Sequence, residues 1–360
     1  MSLVSIYIQN IRVYENAKFI PDPNFNLIIG KNAGGKTTLL EAIHLLSTGR
    51  SYRTNKIEQL QRHNSQKLGV LGHIQIKDEN EALLGFFHCH DVGRRATING
   101  LVQTQVSQLA QYLPLQVISP DTHYEFLHNA KSRRGALDWC LFHVEQDFRR
   151  LWARYQRVLQ QRNAGLKAKT QTKSRYVWDA ELVEIGEIIH AKRQSLIVHL
   201  LPYYQQLCRE LLGPNHEVDI KLESGWNNDL SLAGCLVSDR IRDVTRGFTH
   251  SGPQGADLQI TLNSVASRMS ASHGQYKLLV IALRLAQILY LLDSNGRQSC
   301  LLIDDLAAEL DPIHRARLTN ILANIPVQVF VTATELPSID YQIWSSYKTF
   351  HVERGKIIER

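Results

Sequence analysis

The segment FNLIIGKNAGGKTTLLEAIHLL, residues 25–46, constrains the fold more than any other part of this 360-residue chain. Residues 26–29 are a short apolar run with two β-branched side chains, which is typical of a strand buried in a parallel sheet. Residues 38–46 place apolar side chains at helical spacing. Between them, GKNAGGKT fits the pattern G-x-x-x-x-G-K-[ST]. A strand, a glycine loop and a helix in this order predict an α/β fold with a phosphate-binding loop.

The loop has the chemistry needed to hold a nucleoside triphosphate. Its glycines let successive backbone N–H groups turn toward a phosphate, and the start of the following helix adds the positive end of its dipole. Lys36 is placed to reach the β- and γ-phosphates, and the Thr37 hydroxyl is a candidate Mg²⁺ ligand. The candidate nucleotide contacts are Gly30, Lys31, Asn32, Ala33, Gly34, Gly35, Lys36, Thr37 and Thr38, with Asn32 on the γ-phosphate side.

A second motif, CLLIDDLAAELD at residues 300–311, ends an apolar strand-like run in two consecutive carboxylates. We expect Asp304 to hold Mg²⁺ and Asp305 to polarise or orient the attacking water. Two acids at the end of a buried strand are costly without a cation, which argues against a purely structural role. A third apolar run, residues 328–332, ends at the same predicted sheet edge, where open α/β sheets bind ligands. Thr332 is therefore a candidate γ-phosphate sensor.

The stretch SASHGQ, residues 270–275, precedes a strongly apolar helix and contains an S-x-G-Q core. This core resembles the signature motif of the ABC class of ATPases, in which the signature of one subunit closes over ATP held by the other. A serine hydroxyl, a glycine N–H and a helix start together suit an anion. The same residues could equally form a simple helix N-cap. The candidate trans contacts are Ser272, Gly274 and Gln275.

Positive charge is concentrated in one part of the chain. Residues 131–175 hold 12 Lys/Arg and 3 Asp/Glu, a net of 12 − 3 = +9, whereas the whole chain has +7 and the remainder therefore −2. Such concentration favours a polyanion such as nucleic acid, although a solvated charged helix is the plainer alternative. Five scattered cysteines without a CxxC pair indicate no disulfide framework or zinc ribbon, and we expect no metal site at residues 88–90, HCH.

Apolar residues in the basic segment follow a heptad pattern from Leu137 to Val158, and a similar pattern resumes from Leu182 to Leu196 after a polar turn. The two patterns predict a short helical hairpin. Its arginine stripe and its lysine-rich tip resemble a surface for DNA phosphates with no base-reading element. The candidate DNA contacts are Arg150, Arg154, Arg157, Lys167, Lys169, Lys173 and Arg175.

Taken in order, the motifs resemble the RecF family of bacterial recombination mediators, which are SMC-like ABC ATPases. The likeness extends over nearly the whole chain. It includes SIYIQNIRVYENAKF, GRSYRT at residues 49–54, SPDTHYEFLHNAKSRRGALD at residues 119–138 and DDLAAELDPIHRARL at residues 304–318. Residues 308–311 fall where the class carries its D-loop, and the resemblance therefore gives Asp311 a supporting catalytic role with Asp305.

The resemblance implies a P-loop ATPase of the ABC/SMC-head type, with an ATPase lobe made from residues 1–118 and 296–360. Residues 119–295 would be a mainly helical second lobe carrying the hairpin. It further implies a cytosolic protein that binds ATP and Mg²⁺, dimerises on ATP and hydrolyses it slowly in a DNA-dependent manner. In the family, such a protein binds double-stranded and gapped DNA and works with RecR and RecO to load RecA.

Three positions depart from the family pattern. Ala33 stands where glycine is usual, His273 where arginine is usual, and QGA at residues 254–256 replaces a histidine, an arginine and an acid. Ala33 would be strained only if its φ were positive.

Three alternatives to an ATP-driven mediator stay open. One is an SMC-like DNA clamp in which ATP is a structural ligand without meaningful turnover. A transporter-type ABC subunit would leave the basic hairpin without a role. An ATPase fused to a nuclease is disfavoured because only 360 − 311 = 49 residues follow Asp311. No run of roughly 18 uninterrupted apolar residues suggests a membrane span, and the first residues lack the order of a secretory signal.

Overall fold

The structure, a computed structural model, describes residues 1–76, 80–168, 176–306, 310–334 and 340–360. The chain divides into two compact units. Unit 1 comprises Met1–Glu125, Glu210–Leu212 and Leu291–Arg360, and unit 2 comprises Phe126–Arg209 and Gly213–Tyr290. Unit 1 is therefore assembled from both ends of the chain, and nearly all of the intervening sequence belongs to unit 2.

The strands of the described residues are β1 (Ser2–Ile11), β2 (Tyr14–Phe19), β3 (Phe25–Ile29), β4 (Lys67–Gln75), β5 (Glu81–Cys89), β6 (Gly93–Ile98), β7 (Leu101–Val102), β8 (Leu115–Ile118), β9 (Val218–Glu223), β10 (Asp257–Leu262), β11 (Val265–Ala266), β12 (Cys300–Ile303), β13 (Gln328–Ala333), β14 (Tyr347–Glu353) and β15 (Lys356–Glu359). The helices of the same residues are α1 (Lys36–Thr48), α2 (Pro120–His128), α3 (Ala130–Val144), α4 (Phe148–Lys167), α5 (Asp179–Leu212), α6 (Leu232–Ser238), α7 (Arg240–Arg246), α8 (Ser267–Ser270), α9 (His273–Asn295) and α10 (Pro312–Ala323). Short 3-10 helices lie at Ile57–Leu60, Val106–Gln111, Pro253–Gly255 and Tyr341–Ile343.

A mainly parallel sheet in unit 1 carries the predicted phosphate-binding loop. Its strand order is β15-β14-β3-β13-β12-β8, and β3 pairs in parallel with both β13 and β14. All residues of β3, β8, β12 and β13 are buried. This explains why their sequences are continuous apolar runs rather than alternating ones. The loop after β3 and the acids after β12 consequently lie at one edge, as predicted from the parallel arrangement.

A second sheet in unit 1 is antiparallel, with the order β2-β1-β4-β5-β6-β7. Helix α1 packs between the two sheets, and its buried Leu39, Leu40 and Ile43 share one core with residues such as Phe86 of β5 and Phe330 of β13. Burial of such side chains stabilises a fold by about 1.5–3 kcal/mol each. The helix that follows the loop is thus anchored on both sides, which fixes the position of the loop.

The predicted hairpin in unit 2 is formed by α4 and α5, but its first arm differs from the heptad pattern. The apolar seam from Leu137 to Val158 belongs to two helices, because α3 ends at Val144 and α4 begins at Phe148. The intervening segment EQD, residues 145–147, contains no helix-breaking glycine or proline, so the sequence carries no strong signal for this break. Arg154 donates to Glu181 at 2.6 Å and Arg162 donates to Asp179 at 2.7 Å, which joins the two arms.

Helix α9 is long and apolar enough, by length and composition, to cross a membrane. Most of its apolar side chains are instead buried inside the protein, among them Leu279, Leu283 and Leu291, each at 0% exposure. A core helix passes the same test of hydropathy, and this burial favours the core interpretation.

Buried arginines organise unit 2. Arg133 donates to both oxygens of Asp257 at 2.7 and 2.8 Å, and Arg193 donates to both oxygens of Asp138 at 2.9 and 3.0 Å. Arg134 donates to the Ala256 carbonyl at 2.6 Å. The loop that contains the unusual QGA sequence, residues 254–256, is therefore held in place by arginines from other parts of unit 2. Charged groups away from water require such pairing.

Candidate nucleotide-binding site

The glycines of the loop are required by close packing and by backbone conformation. A Cβ added at Gly30 would lie 2.2 Å from the carbonyl oxygen of Val352 in β14, and one at Gly34 would lie 2.9 Å from the same oxygen. Gly35, the N-cap of α1, has a φ of 119°. Only glycine satisfies such conditions without strain. The loop therefore presses against β14, a strand whose contribution the sequence did not suggest.

Ala33 has a φ of 62°, in the left-handed region. Of the two cases considered from the sequence, the structure has the positive φ, so the residue is strained. Non-glycine residues in this region cost of order 1–3 kcal/mol and are concentrated at functional sites.

Lys36 lies folded back over the loop. Its Nζ donates to the carbonyl oxygens of Gly30 at 2.6 Å and Lys31 at 3.1 Å. Burial lowers the pKa of Lys36, while the carboxylates of Asp305 and Asp304 act in the opposite direction. The ammonium group is thus held at the loop by dipoles that an anionic ligand can replace.

Asp304 is the centre of the polar network at the sheet edge. Its Oδ1 accepts from the Thr37 hydroxyl at 3.0 Å and from the Thr332 hydroxyl at 2.7 Å, and its Oδ2 accepts from Tyr52 at 3.2 Å. The hydroxyl of Thr37 and the carboxylate of Asp304 are hard oxygen donors of the kind that Mg²⁺ prefers. The two predicted metal ligands are therefore adjacent and chemically suited to that ion.

Asp305 has a φ of 56° and lines the same cavity as the loop. Its backbone N–H donates to the Thr332 hydroxyl at 2.9 Å. Thr332 is fully buried and both of its hydrogen-bonding functions are directed at the two aspartates. In this arrangement the residue predicted to sense the γ-phosphate positions the acids.

A cavity of about 390 Å³ joins these groups. It is lined by Arg12, Val13, Asn32, Ala33, Gly34, Gly35, Lys36, Thr37, Thr38, Arg53, Asp304, Asp305, Thr332 and Thr334. The loop and the two acids thus share one space with two additional arginines. That combination of backbone N–H groups, cations and paired acids is suited to a triphosphate with a metal ion.

The sequence motifs give no role to three residues that contact the lining of this cavity, Glu41, Ser51 and Tyr52. Glu41 of α1 is fully buried, lies 3.1 Å from Arg12 and accepts from the Ser51 hydroxyl at 2.6 Å. Burial raises the pKa of Glu41, although Ser51 and the two arginines act to lower it. Burial, followed by the charge of Asp304, raises the pKa of Tyr52 well above its usual value. Ser51, Tyr52 and Arg53 all belong to the GRSYRT stretch, residues 49–54, which resembles the RecF family.

The predicted signature residues lie in unit 2 at the start of α9. Ser272 Oγ accepts from the Gln275 N–H at 3.2 Å, and Gln275 Oε1 accepts from the Ser272 N–H at 3.0 Å. This reciprocal pair is a capping box, so the simple N-cap considered from the sequence is present. Ser272, His273 and Gly274 are exposed, and a Cβ at Gly274 would meet nothing within 4 Å. The cap leaves this surface open.

Asp311 is the N-cap of α10. Its Oδ1 accepts from the N–H groups of Ile313 and His314 at 3.0 Å each, and its Oδ2 lies 2.5 Å from the His314 ring. These bonds, with the backbone N–H of His314 first, lower the pKa of Asp311. Asp311 is not among the described residues that line the cavity, and residues 308–309 of the predicted D-loop lie outside the described part of the chain.

The predicted DNA contacts differ in how freely they are presented. The side chain of Arg150 is 87% exposed and lies 3.9 Å from Asp147, whereas Arg154 is 57% exposed and donates to Glu181 at 2.6 Å. Arg157 and Lys167 are exposed, and Lys169, Lys173 and Arg175 lie outside the described residues. Arg162 of the same helix is instead fully buried between Asp179 and Asp243. The basic segment therefore mixes surface cations with a structural one.

Comparison with known proteins agrees with this arrangement. A family model described as the RecF/RecN/SMC N terminal domain matches residues 2–357. A DNA replication and repair protein RecF from Vibrio cholerae serotype O1 is 36% identical over 361 residues, covering 99% of both chains. A RecF from Shewanella sediminis is 36% identical over 358 residues, also covering 99% of both chains.

Two solved structures extend the comparison to the fold. A recombination mediator protein RecF with ATP, from the RecFOR pathway, matches with a TM-score of 0.88 and 25% identity, covering 100% of this chain and 97% of that one. An Smc head bound to the C-winged helix domain of ScpA matches with a TM-score of 0.61 and 14% identity, covering 100% and 98%. The second likeness concerns the fold alone. Together they confirm the predicted α/β fold of the ABC/SMC-head type.

Proposed function

Because this chain belongs to the RecF family, within the RecF/RecN/SMC N-terminal domain proteins, we propose that it is an ATP-dependent DNA-binding mediator of DNA replication and recombinational repair. The observation that carries the proposal is the cavity that unites the loop, Lys36, Thr37 and the two aspartates. As in its relatives, the ligand would be ATP. The mediator would act in the cytosol on double-stranded and gapped DNA, with RecR and RecO, to help load RecA.

Different residues of the cavity would bind the phosphates and the metal ion. The loop N–H groups and the start of α1 would hold the phosphates, and Lys36 would exchange its bonds to Gly30 and Lys31 for bonds to the β- and γ-phosphates. Thr37 and Asp304 would hold Mg²⁺, which neutralises phosphate charge when bound. Arg12 and Arg53 line the same cavity and add positive charge to it.

Hydrolysis would depend on Asp305. Asp305 lines the cavity, has a left-handed backbone conformation and donates its N–H to the Thr332 hydroxyl. We propose that it orients the attacking water, with support from Asp311. Turnover would be slow and DNA-dependent. In the alternative, ATP would be only a structural ligand of a DNA clamp, and Asp305 would have no effect on the rate.

Dimerisation on ATP would complete the site. The exposed Ser272 and Gly274 at the start of α9 offer a hydroxyl, a backbone N–H and a helix dipole to the ATP held by a second copy. Met269, at 87% exposure, lies three residues before this surface and is an apolar group that a partner would cover. Hydrolysis would then reopen the dimer.

The test is binding to duplex, gapped and single-stranded DNA with ATP, with ADP and without nucleotide, across a salt series. Lys36→Met should abolish the gain in affinity that ATP gives to the wild type. Lys18→Met, at an exposed position of strand β2, removes the same charge outside the cavity and should behave as wild type. Affinity should fall steeply with salt because phosphate contacts release counterions.

Binding that is absent or indifferent to nucleotide would overturn the mediator proposal. In the same preparation, ATP turnover with Asp305→Asn separates the two uses of ATP. A rate about 10²-fold below wild type supports hydrolysis as a step of the cycle. An unchanged rate supports the clamp with ATP as a structural ligand.

A further inference from the structure

A second cationic surface lies beside the hairpin in unit 2. It is formed by α7, residues 240–246 with the sequence RIRDVTR, and by the end of α4. Arg242 and Arg246 are exposed, and they are four residues apart, about 6 Å along the helix axis. The Lys167 side chain passes beside Gly247, where a Cβ would lie 3.2 Å from its Cγ. We call Lys167, Arg240, Arg242 and Arg246 the α7 surface.

The charge of this surface differs from what its sequence suggests. Asp243, which interrupts the arginines, is fully buried and accepts from Arg162 at 2.7 Å and from the ring of His250 at 2.8 Å. The charge of Asp243 is therefore compensated inside unit 2 by Arg162. Arg162 is buried and is not one of the cations on the α7 surface. The exposed charges of residues 240–246 are therefore the two cations Arg242 and Arg246, although the sequence of this segment is mixed in sign.

Two other acids lie nearby: Asp179, whose side chain is 17% exposed and accepts from the same Arg162 at 2.7 Å, and Asp239. The side chain of Asp239 is 18% exposed, accepts from the Ser251 hydroxyl at 2.6 Å and lies 3.6 Å from Arg242. Arg246 is bonded to no carboxylate among the residues that the structure describes. The α7 surface thus keeps an excess of positive charge after its ion pairs are counted, and a polyanion would be attracted to it.

The neighbours of these cations are apolar or aromatic. Ile241 is 83% exposed and Phe248 is 43% exposed, with the Phe248 ring stacked on His250 at 4.2 Å. The Arg240 guanidinium lies over the Tyr176 ring at 4.4 Å. Cations interleaved with apolar and aromatic groups are typical of surfaces that contact a nucleic-acid backbone together with its sugars or unstacked bases.

We propose that the α7 surface binds DNA phosphates, in addition to the predicted stripe on α4. The proposal rests on the proposed function and names where unit 2 meets the DNA. The α7 surface would add phosphate contacts to those of the α4 stripe, in which Arg154 is already paired with Glu181. An acidic protein could also pair its carboxylates with the arginines. The regularly spaced phosphates of DNA are a better match for this face, because it has no exposed acids of its own.

The decisive variant is R242Q/R246Q, assayed with ATP on a duplex, on a gapped duplex and on a single strand. Loss of two phosphate contacts should lower the slope of log affinity against log salt by about 1.8 for duplex and about 1.4 for single strand. Affinity near 0.1 M salt should fall on the order of tenfold to a hundredfold. A loss on duplex assigns the contact to paired phosphates, and a loss confined to gapped and single-stranded DNA assigns it to the unpaired strand.

A matched control removes the same charge elsewhere in unit 2. Arg209 and Lys221 are exposed, and R209Q/K221Q should leave both affinity and salt slope at the wild-type values. A gain-of-charge variant guards against loss of folding, because Thr245 is exposed next to Arg246. Thr245→Lys should tighten binding and increase the slope by about 0.9 on duplex.

The outcomes separate this proposal from the proposed function. If wild type binds DNA with ATP but R242Q/R246Q has the same affinity and slope, the α7 surface is not a DNA contact and its arginines face another partner. If Thr245→Lys fails to tighten binding, the surface is equally excluded. If wild type itself binds no DNA, the proposed function falls and the α7 assignment with it.

Discussion

Ala33 shows how one backbone angle can be tested by one substitution. Its φ of 62° disfavours an L-residue by about 1–2 kcal/mol, whereas glycine adopts it freely. Glycine loses more backbone freedom than alanine on folding, and this loss offsets part of the stability gained by removing the strain. We expect Ala33→Gly to raise the free energy of unfolding by about 0.5–1 kcal/mol, measured by urea unfolding.

The matched control is Ala271→Gly, at a residue with a φ of −79°. There the alanine is unstrained, so the same substitution should lower stability by about 0.5–1 kcal/mol. Equal effects of the two substitutions would show that the loop has no strain to release at position 33.

At the scale of single residues, the sequence assigns candidate phosphate and metal contacts, which stay predictions, but it carries no signal for the groups packed around them. Lys36, Thr37 and Asp304 belong to motifs with fixed spacing, so their chemistry is readable from a short stretch. Tyr52 reaches Asp304 across a separation of 252 residues, and Glu41 pairs with Arg12 across 29. Such contacts follow from packing in three dimensions, and no local pattern encodes them.

At the scale of elements, the pairing of α3 with β10 makes unit 2 sensitive to acid. Arg133 and Asp257 form two bonds at 2.7 and 2.8 Å, and their side chains are 3% and 14% exposed. Burial acts to raise the pKa of Asp257, but the bonds from Arg133 outweigh it and hold the pKa below its usual value. A carboxylate with a lowered folded-state pKa adds stability above its unfolded pKa of about 3.9. That stability is lost as the pH falls through the folded value.

We therefore expect Asp257→Asn to reduce the free energy of unfolding at pH 7 by about 3–5 kcal/mol, because it leaves Arg133 buried without its partner. The difference from wild type should shrink as the pH is lowered below about 4. Asp219→Asn, whose side chain is 38% exposed and 3.9 Å from Lys221, should cost less than about 1 kcal/mol. A pH-independent difference for Asp257→Asn would exclude the ion pair as its cause.

Helices and strands were predicted well where one pattern ran without interruption. β3, β12 and β13 are buried on all residues, and their apolar runs gave a clear signal. The seam from Leu137 to Val158 misled because α3 and α4 continue one apolar register across the break after Val144. The spacing of apolar residues indicates which side chains are buried. It does not distinguish one long helix from two successive helices whose buried faces continue the same spacing.

At the scale of the whole molecule, the exposed start of α9 predicts the behaviour of the dimer. Ser272→Arg places a bulky cation where the second copy's ATP would be closed over, and a capping box would be lost with it. We expect ATP-dependent dimerisation, measured by sedimentation velocity, to weaken by at least about tenfold. ATP binding by the monomer should be unchanged, since the cavity lies in unit 1.

Ser238→Arg, at an exposed position of α6, adds the same side chain elsewhere in unit 2 and should dimerise like wild type. Dimerisation of Ser272→Arg at the wild-type level would refute closure by the opposite signature.

The resemblance to the RecF family implies an ATPase lobe of residues 1–118 and 296–360, and this assignment stays a prediction. The boundaries of the two compact units lie inside helices or at a helix end, where no local sequence pattern marks them. Helix α2 lies with unit 1 up to Glu125, and residues 210–212 at the end of α5 belong to it as well.

The place of β3 in its sheet also determines when the protein can first function during its synthesis. Phe25 at the start of β3 is aligned with Val329 on one side and Tyr347 on the other. At about 5–20 residues per second, a ribosome needs roughly 15–60 s to travel from β3 to β14. For most of that interval, until residues 304 and 328–333 have been made, the phosphate loop lacks Asp304 and both neighbouring strands. A chain whose translation stops early therefore contains the phosphate loop but lacks the rest of the nucleotide-binding cavity. Only a chain that has been translated nearly to its end can form that cavity.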